Sequence, residues 1–430
     1  MITASHNPPI YNGYKIYDEH GCQLVPELAD EVIQQVNAVD DIFSIAIEAE
    51  ATLREKGMIV SIGAEVDRAY IDQVKNIQLN PNLLKQNITI AFSPLHGTAS
   101  TIAPTLFQVC GYKNVYFVEH QMIPDPNFTS VASPNPEEKE AFHDVIELGQ
   151  KVSADLLVVT DPDADRVGLA VKHHGEYVML NGNQTAAILL YYLLTQLRIQ
   201  NRLPKNGVVI NTIVSSDLAQ VIAKDFGLKT ESTLTGFKFI GHRIEDLAKT
   251  DQAFIFGYEE SYGYLVQDFV RDKDAFQAIV LACEAASYFK HFDKTLVDVL
   301  HEIYEKYGYY HESLVNLVLE GKAGQERIQR IMESLRQHPF KELSSVPVSV
   351  TEDYLIGQRV DEEGITPITL PTSNVLKYVL KDGSWVALRP SGTEPKLKIY
   401  VSAIGPNHET SLEKCETIKK QVLDRIATVA

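Results

Sequence analysis

The sequence is short of cysteine, of net positive charge and of long apolar runs, and each shortage closes off a class of protein. Four cysteines, Cys22, Cys110, Cys283 and Cys415, are scattered over 430 residues with no C-x-x-C pair. Neither a zinc site nor a disulfide framework is indicated by that spacing, and a reducing, cytoplasmic setting fits it best. Basic residues number 39 against 57 acidic ones, a formal charge of −18. That balance argues against nucleic-acid binding, which needs a basic face. An anionic substrate must then be met by a local basic patch working against the overall field. The apolar stretch Ala186–Leu194 (AAILLYYLL) is half the length needed to cross a bilayer, so no membrane partner is expected. No basic region followed by an apolar run opens the chain, so no secretion signal is expected either.

What is present is an ordinary globular mix, 45% hydrophobic and 22% charged, in a chain long enough for two to four domains. Short apolar, β-rich runs bounded by turn residues read as buried strands: Asn87–Phe92, Val115–Val118, Asp155–Thr160, Gly207–Ile210 and Ala253–Phe256. Helical patterns lie between them. One starts at Pro26 and carries Leu28, Val32, Val36 and Val39 on one side; Asp217–Phe226 and Ala275–Phe292 look similar. Such alternation implies α/β domains with mostly parallel sheets. The last portion reads differently, as two strands, Val386–Leu388 and Lys396–Ala403, joined by a polar loop and followed by a terminal helix bearing Leu412, Cys415, Val422 and Ile426. That is an α+β pattern and a separate domain.

Ligands of open α/β sheets bind beyond the carboxyl ends of the strands, so the chemistry is expected in the loops Ser93–Ser100, Thr160–Arg166, Asn211–Ser216 and Gly257–Tyr264. In TDPDADR, Asp161, Asp163 and Asp165 alternate directly after an apolar strand. In extended backbone such residues point the same way and would converge on a hard cation, Mg²⁺ or Ca²⁺ rather than zinc. An EF-hand loop starting at Asp161 would need Gly and Glu where the chain has Arg166 and Lys172, and a haloacid-dehalogenase D-x-D motif matches only in part. The bland alternative is a solvated acidic turn. Arg166 beside the acids would grip phosphate oxygens bidentately, or else pair with one of the aspartates. Near the start, TASHNPP places Ser5 beside His6 and ten residues before Lys15. A serine hydroxyl needs a base or a metal to become nucleophilic, and a phosphorylated serine would suit an aspartate-bound Mg²⁺. That stretch alone is equally readable as a turn.

T-A-S-H-N-P-P with N-G-Y-K resembles the active-site serine loop of the α-D-phosphohexomutases, T-D-P-D-A-D-R their metal loop, G-Y-E-E-S-Y-G their sugar-recognition loop, and R-P-S-G-T-E-P-K their phosphate-binding loop. All four occur in family order, and the central loop followed by V-R-D-K-D is most similar to the bacterial phosphoglucomutase branch. The resemblance implies three related α/β domains and a C-terminal α+β domain, here expected at residues 1–74, 75–180, 181–304 and 305–430. It implies reversible conversion of glucose 1-phosphate to glucose 6-phosphate, dependent on Mg²⁺ and primed by glucose 1,6-bisphosphate. Sister activities on mannose or pentose phosphates share the scaffold, and a silent sugar-phosphate-binding protein is the reading from another class.

Carried over residue by residue, the resemblance implies Ser5 as phosphoryl carrier and metal contact, with Asp161, Asp163 and Asp165 as metal ligands and Arg166 as a clamp. Lys15 or His6 is the general base; the His6 imidazole lies nearer neutrality, and Lys15 would need a lowered pKa that a phosphoserine opposes. Glu259 and Ser261 would read two vicinal sugar hydroxyls. Arg389, Ser391, Gly392 and Thr393 would hold the non-reacting phosphate, with Thr235, Gly236, Lys238, Arg271 and Lys273 as further substrate contacts. Family members carry a long segment before the serine loop, whereas here Met1 stands four residues ahead of Ser5. The expectation is a truncated first domain, apolar surface left uncovered and prone to self-association, and a lowered turnover.

Overall fold

The protein is described here from a computed structural model that covers residues 1–391 and 395–429. Its contacts divide it into two compact units. The first comprises Met1–Asn211, Phe226–Glu231 and Gly236–Val299. The second comprises Thr212–Asp225, Ser232–Thr235 and Leu300–Ala430. Among the described residues no helix is long and apolar enough to cross a membrane.

The first unit opens with an irregular segment pinned by single bridges, Ile2 to Tyr14 and Tyr17 to Gln23. Helix Pro26–Asn37 follows, with proline in its first turn, where a missing N–H costs nothing. Its Leu28 and Val36 are 45% and 49% exposed, so the apolar face read from the sequence lies largely uncovered. Beyond it, Phe43 and Ile47 are also exposed. The first buried apolar side chains after this helix are Ile71, Val74 and Ile77. Helix Ala64–Lys75 packs Ile71 and Val74 inward, and its Tyr70 hydroxyl donates to Asp274 at 2.8 Å.

Two sheets position the chemistry. The five-stranded one runs in the order Val115–Phe117, Ile90–Ser93, Leu156–Thr160, Val167–His173, Glu176–Leu180. Its first three strands are parallel and the last two are antiparallel additions. This corrects the expectation of a mostly parallel sheet. The cause is local: His174 and Gly175 both have positive φ, 49° and 91°, the conformation of a tight two-residue hairpin turn. The four-stranded sheet, Lys229–Thr233, Gly207–Thr212, Ala253–Glu259, Gly263–Leu265, likewise ends in an antiparallel hairpin. The apolar run AAILLYYLL lies in helix Gly182–Ile199, opened by an Asn181/Gln184 capping box. Helix Ala275–Lys290 is capped by Asp274, which accepts from Phe276 and Gln277.

The second unit is built on an eight-stranded sheet. Its main path runs from Tyr309–Val318 through Lys396–Gly405, Trp385–Pro390, Leu376–Leu380 and Val346–Asp353 to Gln358–Asp361 and Gly364–Pro367, with antiparallel neighbours throughout. Helices Gly321–Gln337 and His408–Ala427 supply Ile331, Leu335, Cys415, Ile418 and Val422 to a core shared with Leu388, Ile399 and Val401 of the sheet.

Candidate active site

The three aspartates do converge, by a route other than the expected one. The loop Asp161–Arg166 joins the antiparallel neighbours Leu156–Thr160 and Val167–His173, so it is a hairpin loop rather than a strand-to-helix loop. Its backbone is turned, not extended: Ala164 sits at φ 58°, and one oxygen of Asp161 accepts the N–H groups of Asp165 and Arg166 at 3.0 and 2.9 Å. Donor oxygens of Asp161, Asp163 and Asp165 still lie within 4.8 Å of one another. Gly97 belongs to this arrangement, because a Cβ there would run into the Pro162 backbone. Thr98 N–H in turn donates to the Pro162 carbonyl at 2.8 Å.

The electrostatics of this cluster fit a hard cation. The second oxygens of Asp163 and Asp165 are buried and have no partner. Burial, with the charges of Asp165 and Asp163 beside it, holds the Asp161 carboxyl well above the ordinary carboxylate range. Burial would do the same to Asp165, but the ammonium groups of Lys273 and Lys15 outweigh it and hold that carboxyl low. Lys273 stands 2.8 Å and Lys15 2.9 Å from the same Asp165 oxygen. Orphaned, oxygen-only donors of this kind match Mg²⁺ or Ca²⁺.

The serine loop meets this cradle. Ser5 Oγ lies 3.5 Å from Asp161 and 3.1 Å from His6 Nδ1. Ser5 itself is held at φ 54°, a left-handed conformation that stores strain in a non-glycine residue. Thr3, which the sequence reading passed over, explains how that is held. Its hydroxyl accepts the Ser5 N–H at 2.8 Å and donates to Asp163 at 3.0 Å. Lys15 reaches Asp163 at 3.4 Å as well as Asp165. Burial and Lys273 pull its pKa down, yet the two aspartates win and it is raised.

The metal loop and the Glu259 hairpin are joined. Val167 N–H donates to the Tyr262 carbonyl at 3.1 Å, and Arg166 bridges to Gly263. Glu259 ends its strand rather than standing in a loop. It is buried, and burial raises its pKa against the opposing pull of Lys273 and Arg166. A Cβ at Gly263 would meet both Lys273 and Glu259 side-chain atoms. Ser261 is half-buried in the turn between the two strands.

Other expected contacts are held by protein partners. Arg166 pairs with Glu137 at 2.6 Å. Burial works against its charge, but Glu259, Glu137 and two aspartates keep the guanidinium firmly protonated. Arg271 pairs with Glu245 at 3.1 Å. Lys273 is buried between Asp165 and Asp272, the latter also accepting from Tyr17 at 2.9 Å. Gly236 is at φ 114° just before helix Phe237–Leu247, in which Lys238 lies over the Phe239 ring. In the second unit the Thr235 hydroxyl is buried without a partner. Arg389 lies in the sheet opposite Lys398, and Ser391 N–H donates to the Lys396 carbonyl at 2.7 Å. Gly392 and Thr393 lie outside the described residues.

A strained serine set against a cradle of oxygen donors is an arrangement suited to metal-assisted phosphoryl transfer. Sequence comparison carries this to a family. Models described as phosphoglucomutase/phosphomannomutase α/β/α domains I, II and III match residues 1–42, 68–175 and 181–307, and the C-terminal domain of the same family matches 314–413. A phosphoglucomutase of Staphylococcus aureus (strain bovine RF122 / ET3-1) is 40% identical over 418 residues, 96% of this chain and 74% of that one. The phosphoglucomutase pp63/parafusin from Paramecium, in an open form, superposes with a TM-score of 0.70 at 18% identity, covering 99% of this chain and 76% of its own. An N-acetylphosphoglucosamine mutase from Aspergillus fumigatus, solved with GlcNAc-6P and magnesium, gives 0.53 at 12% identity over 96% and 90%. The chain belongs to the phosphoglucomutase/phosphomannomutase family, and its architecture is that of the α-D-phosphohexomutases, three α/β domains and a C-terminal domain.

Proposed function

We propose that this chain is a phosphoglucomutase that interconverts glucose 1-phosphate and glucose 6-phosphate through phosphorylated Ser5. The observation that carries the reading is the meeting of Ser5 with the cradle and with His6 at 3.5 and 3.1 Å. It is supported by the 40% identical phosphoglucomutase of Staphylococcus aureus. We take residues 1–74, 75–180, 181–304 and 305–430 as the four domains.

In this scheme phosphoserine gives its phosphoryl group to the free hydroxyl of a hexose monophosphate. The serine O–P bond breaks as the sugar O–P bond forms, and the hydroxyl proton passes to a base. The resulting bisphosphate turns end for end, and its other phosphoryl group returns to Ser5. Mg²⁺ on Asp161, Asp163 and Asp165 would supply charge neutralisation at the transferring group. Phosphoryl transfer is mostly positioning and charge stabilisation, which assigns the remaining residues. Thr3 and the backbone of Ser5 fix the carrier oxygen. Lys15, whose charge is reinforced by its aspartates, serves the phosphate oxygens rather than proton transfer. His6 holds the moving proton. Glu259 and Ser261 recognise two vicinal hydroxyls. Arg389, Ser391, Gly392 and Thr393 are assigned to the non-reacting phosphate, and Thr235, Gly236, Lys238 and Arg271 are kept as further substrate contacts. Lys273 acts through Asp165.

The test is a coupled assay with glucose, mannose and ribose 1-phosphates in parallel, with glucose 1,6-bisphosphate and Mg²⁺ present. Glucose 1-phosphate should be turned over fastest, and Ser5→Ala should abolish turnover. Preference for another sugar would move the chain to a sister activity. Sugar-phosphate binding without any exchange would overturn the enzyme reading.

A further inference from the structure

A second cluster of side chains able to ligate a metal lies apart from the aspartate cradle and has a different donor set. The turn Asp18–Cys22 is closed by the Tyr17–Gln23 bridge and by the Asp18 N–H donating to the Cys22 carbonyl at 2.9 Å. One oxygen of Asp18 accepts the N–H groups of both His20 and Cys22 at 2.9 Å, which fixes the carboxylate and leaves its second oxygen for another ligand. Across from this turn stands helix Phe237–Leu247. Cys22 is fully buried, its thiol 3.6 Å from the Gly241 carbonyl. His242 Nε2 is 3.1 Å from the Gln23 carbonyl. Ligand atoms of Asp18, Cys22 and His242 all lie within 4.8 Å of one another.

We propose that Asp18, Cys22 and His242 form a separate site for a borderline-soft divalent cation, Zn²⁺ in chemical type, that ties residues 18–22 to helix Phe237–Leu247. The donor set decides the class. One thiolate, one imidazole and one carboxylate suit Zn²⁺, whereas an all-oxygen set suits Mg²⁺. A tetrahedral ion with ligands at about 2.0–2.3 Å sets its donors about 3.5 Å apart, so the cluster closes on the ion by side-chain movements of about 1 Å. Water, or His20 beside Glu245 (3.9 Å), completes the fourth position. Binding releases the Cys22 proton to solvent. Just before the tied turn lie Lys15 and Tyr17, which reach Asp165 and Asp272 at 2.9 Å. An ion here therefore anchors part of the wall of the other site without touching it.

Co²⁺ added to the reduced, chelator-stripped full chain is the probe, because a thiolate ligand gives a near-ultraviolet charge-transfer band that an oxygen cradle cannot. The band should appear and be competed away by Zn²⁺. It should survive in Asp163→Asn and vanish in Cys22→Ser. In His242→Gln, affinity should fall by at least about 100-fold. Circular dichroism of both variants checks that they remain folded, and His242, half-buried, keeps the test open should the Cys22 variant unfold. Absence of the band in the parent chain, or its persistence in folded Cys22→Ser, would overturn the proposal.

Discussion

Replacing Lys273 with Met removes a buried ammonium from between two carboxylates while keeping most of its volume. The side chains of Lys273 and Asp165 are 10% and 12% exposed and 2.8 Å apart, and Asp272 is 3.4 Å away. A buried charge stripped of every partner costs about 3–5 kcal/mol, but Lys15 remains 2.9 Å from the same Asp165 oxygen, so the loss here is smaller, about 2 kcal/mol. In the metal-free protein at pH 7 the transition of the first unit should therefore drop by about 5 °C. The loss has a definite pH dependence. Asp165 is held low in the folded protein, so its pairing contributes above the ordinary carboxylate pKa of about 4 and is lost as pH falls below it. In the variant Lys15 and Arg166 still act on Asp165, so it is held down less far than in the parent. The difference between the two proteins is full at pH 7 and shrinks only as pH falls below about 4. Melting curves of both proteins at pH 7 and at about pH 3, with and without Mg²⁺, make the measurement. The gap should be wide at pH 7 and narrow at the acid pH, and Mg²⁺ should raise the variant more than the parent. Equal melting at pH 7, or a loss of the same size at both pH values, would refute the reasoning.

Thr3→Val keeps the shape of Thr3 but removes the hydroxyl shared by Ser5 N–H and Asp163; kcat should fall at least about tenfold with KM little changed, about 1.4 kcal/mol of lost positioning, and an unchanged kcat would count against the role given to Thr3. Gly97→Ala puts a methyl group into the Pro162 backbone, so the metal loop must shift; a weakened Mg²⁺ dependence should appear in titrations of activity. In the second unit, burial raises the Glu312 carboxyl to about 7, with one of its oxygens buried and unpartnered. A carboxyl raised on folding weakens the folded state as pH climbs from about 4.5 to 7, here by up to about 3 kcal/mol. Glu312→Gln should therefore stabilise this unit at pH 8 and leave it nearly unchanged at pH 4, as read by denaturant unfolding.

Much of the site was legible because its signals are local. Alternating aspartates after an apolar run, a serine in a polar turn, and loops following strands are all visible within a few residues. What stayed hidden was pairing across long separations. Nothing near Arg166 in sequence points to Glu137, nor anything near Asp165 to Lys273, and Cys22 read alone gave no hint of His242. The alternation argument expected three carboxylates to converge, and they do, but through a different backbone, because it assumed extension where Ala164 turns the chain. The antiparallel strands were hidden at His174–Gly175, because a two-residue turn with both φ positive leaves only a short signal between two apolar runs. The apolar side of helix Pro26–Asn37 was legible as a pattern, and its exposure is a tertiary fact that periodicity does not carry.

The most direct test of the whole account is to incubate the protein with labelled glucose 1,6-bisphosphate and Mg²⁺ and map the modified peptide. The account predicts label on Ser5, lost in Ser5→Ala and discharged by added glucose 1-phosphate. Stable label on another residue, or an unlabelled chain under conditions that label the Staphylococcus aureus relative, would contradict it.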